Sequence, residues 1–162
     1  MGRSGEFFPA QLLAMDADIS EELRRRSIVR SFNNPTADVA ELLFCRAFGW
    51  QQAGNSHPSA DATCSEGMLY QIKARRLTAK NTSRELSALR NLPAGGFHYL
   101  AGVLFEPDYT VRRAAIISHG LVLKNSAYTK HTNAWNSSSR CRVGWPGVRD
   151  VTDQLKAVAL AP

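Results

Sequence analysis

The sequence predicts an α+β (α/β) protein with a mixed central β-sheet flanked by helices. Three observations lead to this prediction. An apolar helical segment over residues 37–48 precedes two strand-like segments that a Ser-Glu-Gly turn joins. Two more apolar strands, Tyr99–Phe105 and Val111–Ser118, follow a polar stretch and are separated by Glu-Pro-Asp. Helical segments also lie near both ends of the chain, so helices are expected to cover a sheet formed by its middle.

The length and composition are those of one globular domain over residues 1–162. Hydrophobic residues make up 44% of the chain, an ordinary share. No apolar run approaches the roughly 20 residues that span a bilayer, and the first 15 residues lack the features of a secretory signal. Cys45, Cys64 and Cys141 have neither zinc-site nor disulfide spacing. We therefore expect a cytoplasmic protein with no membrane contact.

The core of the domain is expected over residues 35–120. An N-terminal helical extension, residues 1–34, contains a basic helix over 19–30 that Ser20 would cap. After the core, residues 121–162 form a polar, irregular stretch over 125–149 and a last helix that Thr152 would cap and that ends near Leu160.

Within the core, the helix over 37–48 is apolar on most faces and should be buried. Asn34 or Thr36 would cap this helix, and Gly49 would end it. A short strand is expected over 50–53, then a hairpin of strands 60–64 and 68–75. A helix over 82–92, capped by Ser83, precedes the two later strands, and a short helix follows His119.

The chain carries a formal net charge of +6, which favours a polyanionic partner. One basic cluster, Arg24–Arg26 with Arg30, is interpreted as a solvated helix face. A second cluster follows the strand over 68–75 directly and would hold nucleic-acid phosphates without reading sequence. Its members are Arg75, Arg76, Lys80, Arg84 and Arg90, and the first four are the expected phosphate contacts.

Two polar residues interrupt the apolar strand over 68–75. Strand side chains alternate between faces, so Gln71 and Lys73 project together, while Tyr70 and Ile72 point to the other side, towards the core. The predicted hairpin brings Asp61 beside this strand. The sequence therefore predicts that a carboxylate, an amide and an ammonium group meet on one sheet surface.

These three groups suit chemistry at a phosphate. Asp61 offers a hard carboxylate ligand for Mg²⁺ and Gln71 a neutral oxygen, and Mg²⁺ needs few protein ligands. Lys73 would orient an attacking water or stabilise charge on the phosphate. Glu41 lies in the apolar helix and should need a partner if it is buried. That partner would be a metal or Lys73, unless Glu41 lies on a solvated edge of the helix.

At these residues the chain resembles the PD-(D/E)xK nuclease superfamily, which has the restriction-endonuclease-like fold. The matching elements are Glu41 in "ADVAELLFCRAFGW", Asp61 in "SADA" and Gln71-Ile72-Lys73 in "YQIKARR". The glutamine form of the tripeptide is similar to the variant in Mrr-like restriction nucleases. The resemblance covers about residues 35–120. Two features depart from the family pattern: Ala60 precedes Asp61 where many members have proline, and Gln71 replaces the commoner acid.

The resemblance implies a divalent-metal-dependent endonuclease that hydrolyses DNA phosphodiester bonds. It implies Mg²⁺ as the cofactor, with Mn²⁺ as a substitute, held by Asp61, Glu41, Gln71 and the main-chain carbonyl of Ile72. It assigns to Lys73 the positioning of the attacking water and the stabilisation of the transition state. Two copies of a single-site domain are the simplest way to break both strands, which favours a homodimer.

Two other classes of function stay open at this point. The chain is alternatively an inactive nuclease-like module that binds nucleic acid or a protein, because a fold does not fix a function. It is otherwise an enzyme of RNA or of a small molecule on the same scaffold. The four scattered histidines are interpreted as surface or structural residues, and residues 128–135 as a loop that Trp135 anchors on the core.

Overall fold

The computed structural model describes residues 7–54, 59–137 and 146–159. Strands and helices alternate along these residues, which confirms the α+β prediction. The strands are β1 (Gln51–Gln52), β2 (Ala62–Thr63), β3 (Leu69–Arg76), β4 (Tyr99–Phe105), β5 (Val111–Ser118), β6 (Ser126–Thr129), β7 (Ala134–Ser137) and β8 (Val148–Asp150). The α-helices are α1 (Pro9–Arg25), α2 (Thr36–Phe48), α3 (His119–Lys124) and α4 (Thr152–Ala157).

Six of the described strands form one mixed sheet in the order β1-β2-β3-β4-β5-β8. β3 and β4 run parallel, while the other neighbouring pairs are antiparallel. This arrangement confirms the predicted mixed central sheet. β3 lies inside it, with Gln71 beside Leu100 and Lys73 beside Gly102 of β4. The polar tripeptide therefore runs through the middle of the sheet and not along an edge.

α2 is the buried helix that the sequence predicts, and it packs on β3. The side-chain oxygen of Asn34 accepts a hydrogen bond from the main-chain N–H of Thr36 at 3.0 Å, which satisfies one of the free donors at the helix start. Gly49 ends the helix in the left-handed conformation, at φ 66°, which costs glycine no side-chain clash. The apolar face of α2 buries Val39, Ala40, Leu43 and Phe44.

The predicted hairpin of β2 and β3 is present, with Ala62 opposite Tyr70. The main-chain N–H of Cys64 donates to the carbonyl of Met68 at 3.1 Å and closes the turn. Gly67 takes a positive φ of 79° within it, which explains the glycine at this position. β2 is shorter than the predicted strand over 60–64, and Asp61 precedes it.

The sheet has an apolar layer on each face, because residues of β4 alternate between two buried clusters. Ala101 and Val103 join the cluster beneath α2 and α4. Leu100 joins a second cluster on the opposite face. As predicted, Ile72 and Tyr70 pack with the α2 cluster, so Gln71 and Lys73 face the second layer.

The connection from β3 to β4, residues 77–98, builds much of that second layer. The helix predicted over 82–92 is wrong: this segment is irregular, and only a short 3-10 turn forms at Leu92–Ala94. Its main chain instead pairs with β7, since Leu89 and Trp135 exchange two hydrogen bonds of 2.8 Å. Leu89 and Leu92 are buried against the sheet. These tertiary contacts fix an extended chain where local propensity favours a helix.

α1 differs from the prediction in its bounds. It begins at Pro9 and not near Ile19, so Ser20 lies inside the helix and does not cap it. None of its residues is buried. Arg24 and Arg25 pair with the glutamates three residues before them, in agreement with a solvated face. Among the residues that the structure describes, no helix is long and apolar enough to cross a membrane.

The part after α3 is more regular than predicted. Over 125–149, β6 and β7 form a hairpin and β8 joins the main sheet, while residues 138–145 lie outside the described ones. α4 begins at Thr152, the residue predicted to cap it, but the Thr152 hydroxyl does not cap the helix. It bonds to the main chain of Ala114, accepting from the N–H at 3.0 Å. The predicted end near Leu160 lies outside the described residues, and α4 ends at Ala157.

Candidate active site

The structure brings Asp61 directly to the tripeptide that the sequence singles out. One carboxylate oxygen, Oδ2, accepts a hydrogen bond from the main-chain N–H of Ile72 at 2.6 Å. The main-chain N–H of Asp61 donates in turn to the carbonyl of Tyr70 at 2.8 Å. The Ile72 N–H thus bonds to the side chain of Asp61 and not to a main-chain carbonyl of the neighbouring strand. This replacement explains why β2 begins only at Ala62. No described residue donates a hydrogen bond to the other carboxylate oxygen, Oδ1.

The Ile72 contact also orients a main-chain oxygen. In an antiparallel pair, the N–H and C=O of one residue face the same neighbouring strand. The N–H of Ile72 faces Asp61, so its carbonyl is directed towards the same side of β3. The Asp61 carboxylate and the Ile72 carbonyl therefore lie on the same side of β3, towards β2.

Gln71 and Lys73 line a cavity of about 270 Å³ on the face of the sheet opposite α2. Both side chains are half-buried, because the connection over 77–98 passes across them. Ser59, Arg90 and Asn91 line the same cavity. Gln71 and Lys73 therefore project to the same side, as predicted. The surface that they form is the wall of a pocket and not an open face of the sheet.

Two close approaches shape this pocket. A Cβ atom added to Gly96 would lie 2.3 Å from the Cβ of Ser59, so only glycine lets the connection touch the segment that leads to Asp61. Beside Lys73 in the sheet, a Cβ added to Gly102 would lie 2.5 Å from the tip of Leu86. The absence of a side chain at both glycines therefore allows the connection to lie against the sheet.

Glu41 reaches the site from α2, and its partner is Arg30. An Arg30 guanidinium nitrogen lies 2.5 Å from Glu41 Oε2, and the Glu41 side chain is only 15% exposed. The expectation that Lys73 pairs with Glu41 is wrong, since no hydrogen bond or ion pair among the described contacts joins Lys73 to Glu41 or Asp61. The alternative of a solvated edge is also wrong, because the carboxylate is mostly buried.

Burial raises the pKa of Glu41 above its usual value, and the negative charge of Asp61 raises this pKa further. The hydrogen bond from Arg30 acts in the opposite direction. The two carboxylates are therefore close enough to repel each other, which is the arrangement that a shared cation relieves.

Arg30 is held in place by a second acid on α2. Asp38 Oδ2 accepts hydrogen bonds from the main-chain N–H groups of Arg30, at 3.0 Å, and Ser31, at 2.8 Å. Asp38 and Glu41 lie three residues apart and so share one side of the helix. One anchors the main chain of Arg30, and the other binds its guanidinium.

The donor set fits a sparsely coordinated Mg²⁺ and not a metal that needs many protein ligands. The described residues contain no group of three or more His, Cys, Asp or Glu side chains arranged to hold a metal. They offer two carboxylates, Asp61 and Glu41, with the carbonyl of Ile72 and the amide of Gln71 as neutral oxygens. Mg²⁺ commonly keeps several waters and takes one or two carboxylates, so these residues suffice in number and kind.

The four cations predicted to bind nucleic acid separate into two groups. Arg75 follows Gln71 and Lys73 on the same face and donates to the Asn81 amide oxygen at 3.3 Å. Arg76 points to the other face, where its guanidinium lies 4.8 Å from the ring centre of Tyr109. Lys80 and Arg84 are exposed on the connection after β3. The structure thus brings one of the four, Arg75, to the face of the candidate site.

Several residues at the site could not be found from sequence reasoning. Arg30 lies eleven residues before Glu41, and its cluster resembles a solvated helix face. Arg90 belongs to the second basic cluster, but nothing in the sequence places it beside the tripeptide. Asn91 and Ser59 carry no recognisable motif, although the left-handed conformation of Asn91, at φ 50°, marks a constrained backbone.

Two of the histidines hold hydrogen bonds to the main chain within the fold. His98 Nδ1 accepts from the main-chain N–H of Leu69 at 2.9 Å, and the His119 ring bonds to the Leu92 carbonyl at 2.7 Å. Trp135 anchors residues 128–135 through its main-chain pairing with Leu89. His57 lies outside the described residues.

Comparison of the chain with protein-family models and with curated proteins gives no match. The resemblance to the nuclease superfamily therefore stays a prediction from the sequence.

Proposed function

We propose that this protein is a divalent-metal-dependent endonuclease that hydrolyses DNA phosphodiester bonds, on a scaffold of the restriction-endonuclease-like type. The observation that carries the proposal is the hydrogen bond from Ile72 N–H to the Asp61 carboxylate. It joins an acid on one strand of a hairpin to the centre of a Gln-Ile-Lys tripeptide on the other, with Glu41 close by.

In this proposal Asp61, Glu41, the Ile72 carbonyl and the Gln71 amide hold Mg²⁺, and Mn²⁺ substitutes for it. When bound, the ion would lower the pKa of water and polarise the phosphate. Asp61 is kept in place by the Ile72 N–H, and Arg30 limits the mutual repulsion of the two acids until the ion binds. Neutral Gln71 in place of an acid predicts weak metal binding.

Lys73 would act on the phosphate from the cavity side of β3. Its ammonium group can donate to a phosphate oxygen and stabilise the charge that develops in the transition state. It can also hold the attacking water by a hydrogen bond. Arg75, on the same face, and the exposed Lys80 and Arg84 would add contacts to the DNA backbone that carry no sequence information.

The biological setting belongs to the same proposal. The separated cysteines favour a cytoplasmic enzyme. A homodimer remains our prediction for an enzyme that cuts both strands. The α1 helix, whose apolar residues include exposed Leu13 and Ile19, offers a surface that such pairing could use.

A second candidate is a binding module that has lost catalysis. Two observations favour it: Gln71 removes one negative charge from the metal site, and Arg30 already neutralises Glu41. In that case the basic residues would hold nucleic acid and no bond would be cut.

One set of assays separates the two candidates. Plasmid, single-stranded DNA and RNA are incubated with the wild-type protein in Mg²⁺, in Mn²⁺ and in chelator. Asp61→Asn and an exposed control on α4, Asp153→Asn, are assayed beside it. The proposal expects metal-dependent cutting of DNA that only Asp61→Asn abolishes. Salt-sensitive DNA binding without cutting in either metal would support the binding module, and preferential RNA cleavage would redirect the substrate.

Metal binding needs a readout of its own. Isothermal titration calorimetry with Mn²⁺ should detect a site in the wild-type protein and in Asp153→Asn. It should detect none in Asp61→Asn.

A further inference from the structure

The cavity beside β3 has a composition that the metal site does not explain. Of the described residues that line it, two are cations, Lys73 and Arg90, and none is acidic. Ser59, Gln71 and Asn91 add side chains that can donate hydrogen bonds. The acids of the candidate metal site, Asp61 and Glu41, are not among these lining residues. The cavity therefore suits an anion.

The segment that carries Arg90 and Asn91 is fixed on both sides. Before it, Leu89 is 1% exposed and exchanges two main-chain hydrogen bonds with Trp135. After it, Leu92 is also 1% exposed, and its carbonyl bonds to the His119 ring. Arg90 and Asn91 are exposed between these two anchors. The anchors hold two polar residues at the cavity while leaving their side chains accessible.

The main chain of Asn91 is also constrained where it borders the cavity. It takes a left-handed conformation at φ 50°, which is uncommon for residues other than glycine and is best tolerated by Asn and Asp. Such backbone conformations concentrate at binding sites. On the opposite wall, the contact between Gly96 and Ser59 holds the segment before β2 against the connection.

We propose that this cavity is a phosphate-binding pocket, in which Lys73 and Arg90 bind the phosphate oxygens and Asn91 and Ser59 complete the hydrogen bonds. The volume of about 270 Å³ would hold about nine waters at about 30 Å³ each, so a phosphate group fits with part of its sugar. The ligand is a phosphate of a nucleic acid strand, either an internal phosphodiester or a terminal monophosphate.

The nucleic-acid source of the phosphate rests on the proposed function, whereas phosphate binding itself needs neither metal nor cleavage. The pocket lies on the cavity side of β3. Of the candidate metal ligands, Gln71 lines it, whereas Asp61 and Glu41 lie outside its described lining. A strand bound here would present its phosphate to Lys73.

The test measures binding in chelator, so that metal plays no part. Inorganic phosphate is titrated into the full-length protein by calorimetry. Labelled oligonucleotides, with and without a 5′-phosphate, are titrated by fluorescence anisotropy. The variants are Arg90→Met and Asn91→Asp, and the control is Arg46→Met, an exposed arginine on α2 in the opposite layer. Asn91→Asp keeps a residue that tolerates the left-handed backbone and adds a repelling charge.

The pocket predicts that Arg90→Met and Asn91→Asp each weaken phosphate binding by roughly tenfold or more, while Arg46→Met binds phosphate like the wild type. A 5′-phosphate that tightens oligonucleotide binding identifies a terminal phosphate, and equal binding of both oligonucleotides identifies an internal one. Equal losses of phosphate affinity in Arg90→Met and Arg46→Met, or no phosphate binding by the wild type, would contradict the proposal of a phosphate-binding pocket.

The two proposals can fail separately. If Asp61→Asn binds phosphate normally in chelator and no metal supports cutting, the nuclease proposal fails and the pocket stands. If DNA is cut and Arg90→Met still binds phosphate like Arg46→Met, the pocket fails and the nuclease proposal stands. Thermal unfolding of each variant verifies that it is folded.

Discussion

The Asp61 carboxylate accepts a hydrogen bond from the main-chain N–H of Ile72 at 2.6 Å, in the middle of the Gln-Ile-Lys tripeptide. Oδ2 of Asp61 thus joins the two strands of the hairpin by a hydrogen bond, and no described residue donates a hydrogen bond to Oδ1. This division suits a metal ligand whose position must be fixed before the ion arrives.

Replacing Asp61 should separate its two roles. Asp61→Asn keeps an oxygen that can accept from Ile72 N–H, so it should lose metal binding and keep most of the folding stability. Asp61→Ala removes the acceptor as well and should cost about 1.5 to 3 kcal/mol more in the free energy of unfolding. Urea denaturation measures the stabilities. Equal stabilities of the two variants would show that the hydrogen bond does not hold the strands.

Restoring an acid in the tripeptide should strengthen the metal site. Gln71→Glu adds a second charged oxygen near Asp61, so Mn²⁺ should bind more tightly than to the wild type. Calorimetry measures the change, with Gln154→Glu on α4 as the matched control for added charge. A Gln71→Glu variant that binds Mn²⁺ no better than this control would argue against Gln71 as a ligand.

The pH dependence of stability should reveal the raised pKa of Glu41 on α2. Burial and the charge of Asp61 raise the pKa of Glu41 in the folded protein, so the folded state binds this proton more readily than the unfolded state. Stability contributed by Glu41 should therefore be lost as pH rises from its unfolded value, near 4.5, through the raised folded value.

Comparison with Glu41→Gln isolates this effect, because other titrating groups largely cancel in the difference. The stability of the wild type relative to Glu41→Gln should fall as pH rises through that window. Saturating Mg²⁺ should reduce the fall. If the difference in the free energy of unfolding does not change with pH, or if it grows in favour of the wild type as pH rises, the raised pKa of Glu41 is contradicted.

The two close glycines should differ in their sensitivity to substitution. Gly96→Ala places a methyl group against the Cβ of Ser59, which is tied directly to the main chain, so it should cost about 1 to 3 kcal/mol. Gly102→Ala meets only the tip of Leu86, which can rotate away, and should cost less. Urea midpoints measure both. A larger loss in Gly102→Ala would mean that the connection is held by Leu86 and not by the Ser59 contact.

Much of the fold could be predicted because its patterns are local. β4 and β5 have the predicted bounds, since β4 is a continuous apolar run, β5 is apolar over Ala114–Ile117, and a turn separates them. The hairpin of β2 and β3 and the alternation around Ile72 follow from turn residues and from period-two patterning. Asp61 could be placed at the tripeptide for the same reason.

The failures have a different physical origin. Leu86, Leu89 and Leu92 recur every third residue, as on one face of a helix, and the sequence predicts a helix over 82–92. Their apolar side chains are instead accommodated by the sheet and by pairing with β7, contacts between residues far apart in sequence. The Arg30–Glu41 pair and the cavity lining depend on similar long-range contacts, for which a single sequence gives no signal.

The central claim is tested most directly by the rate at which DNA is cleaved in Mg²⁺ by two lysine variants. Lys73→Met removes the ammonium group that shares the cavity with Gln71, and Lys156→Met removes an exposed one on α4, in the opposite layer. We predict a roughly 100- to 1,000-fold slower cleavage for Lys73→Met and a wild-type rate for Lys156→Met. Cleavage by Lys73→Met at the wild-type rate, or no metal-dependent cleavage by the wild type, would contradict the account.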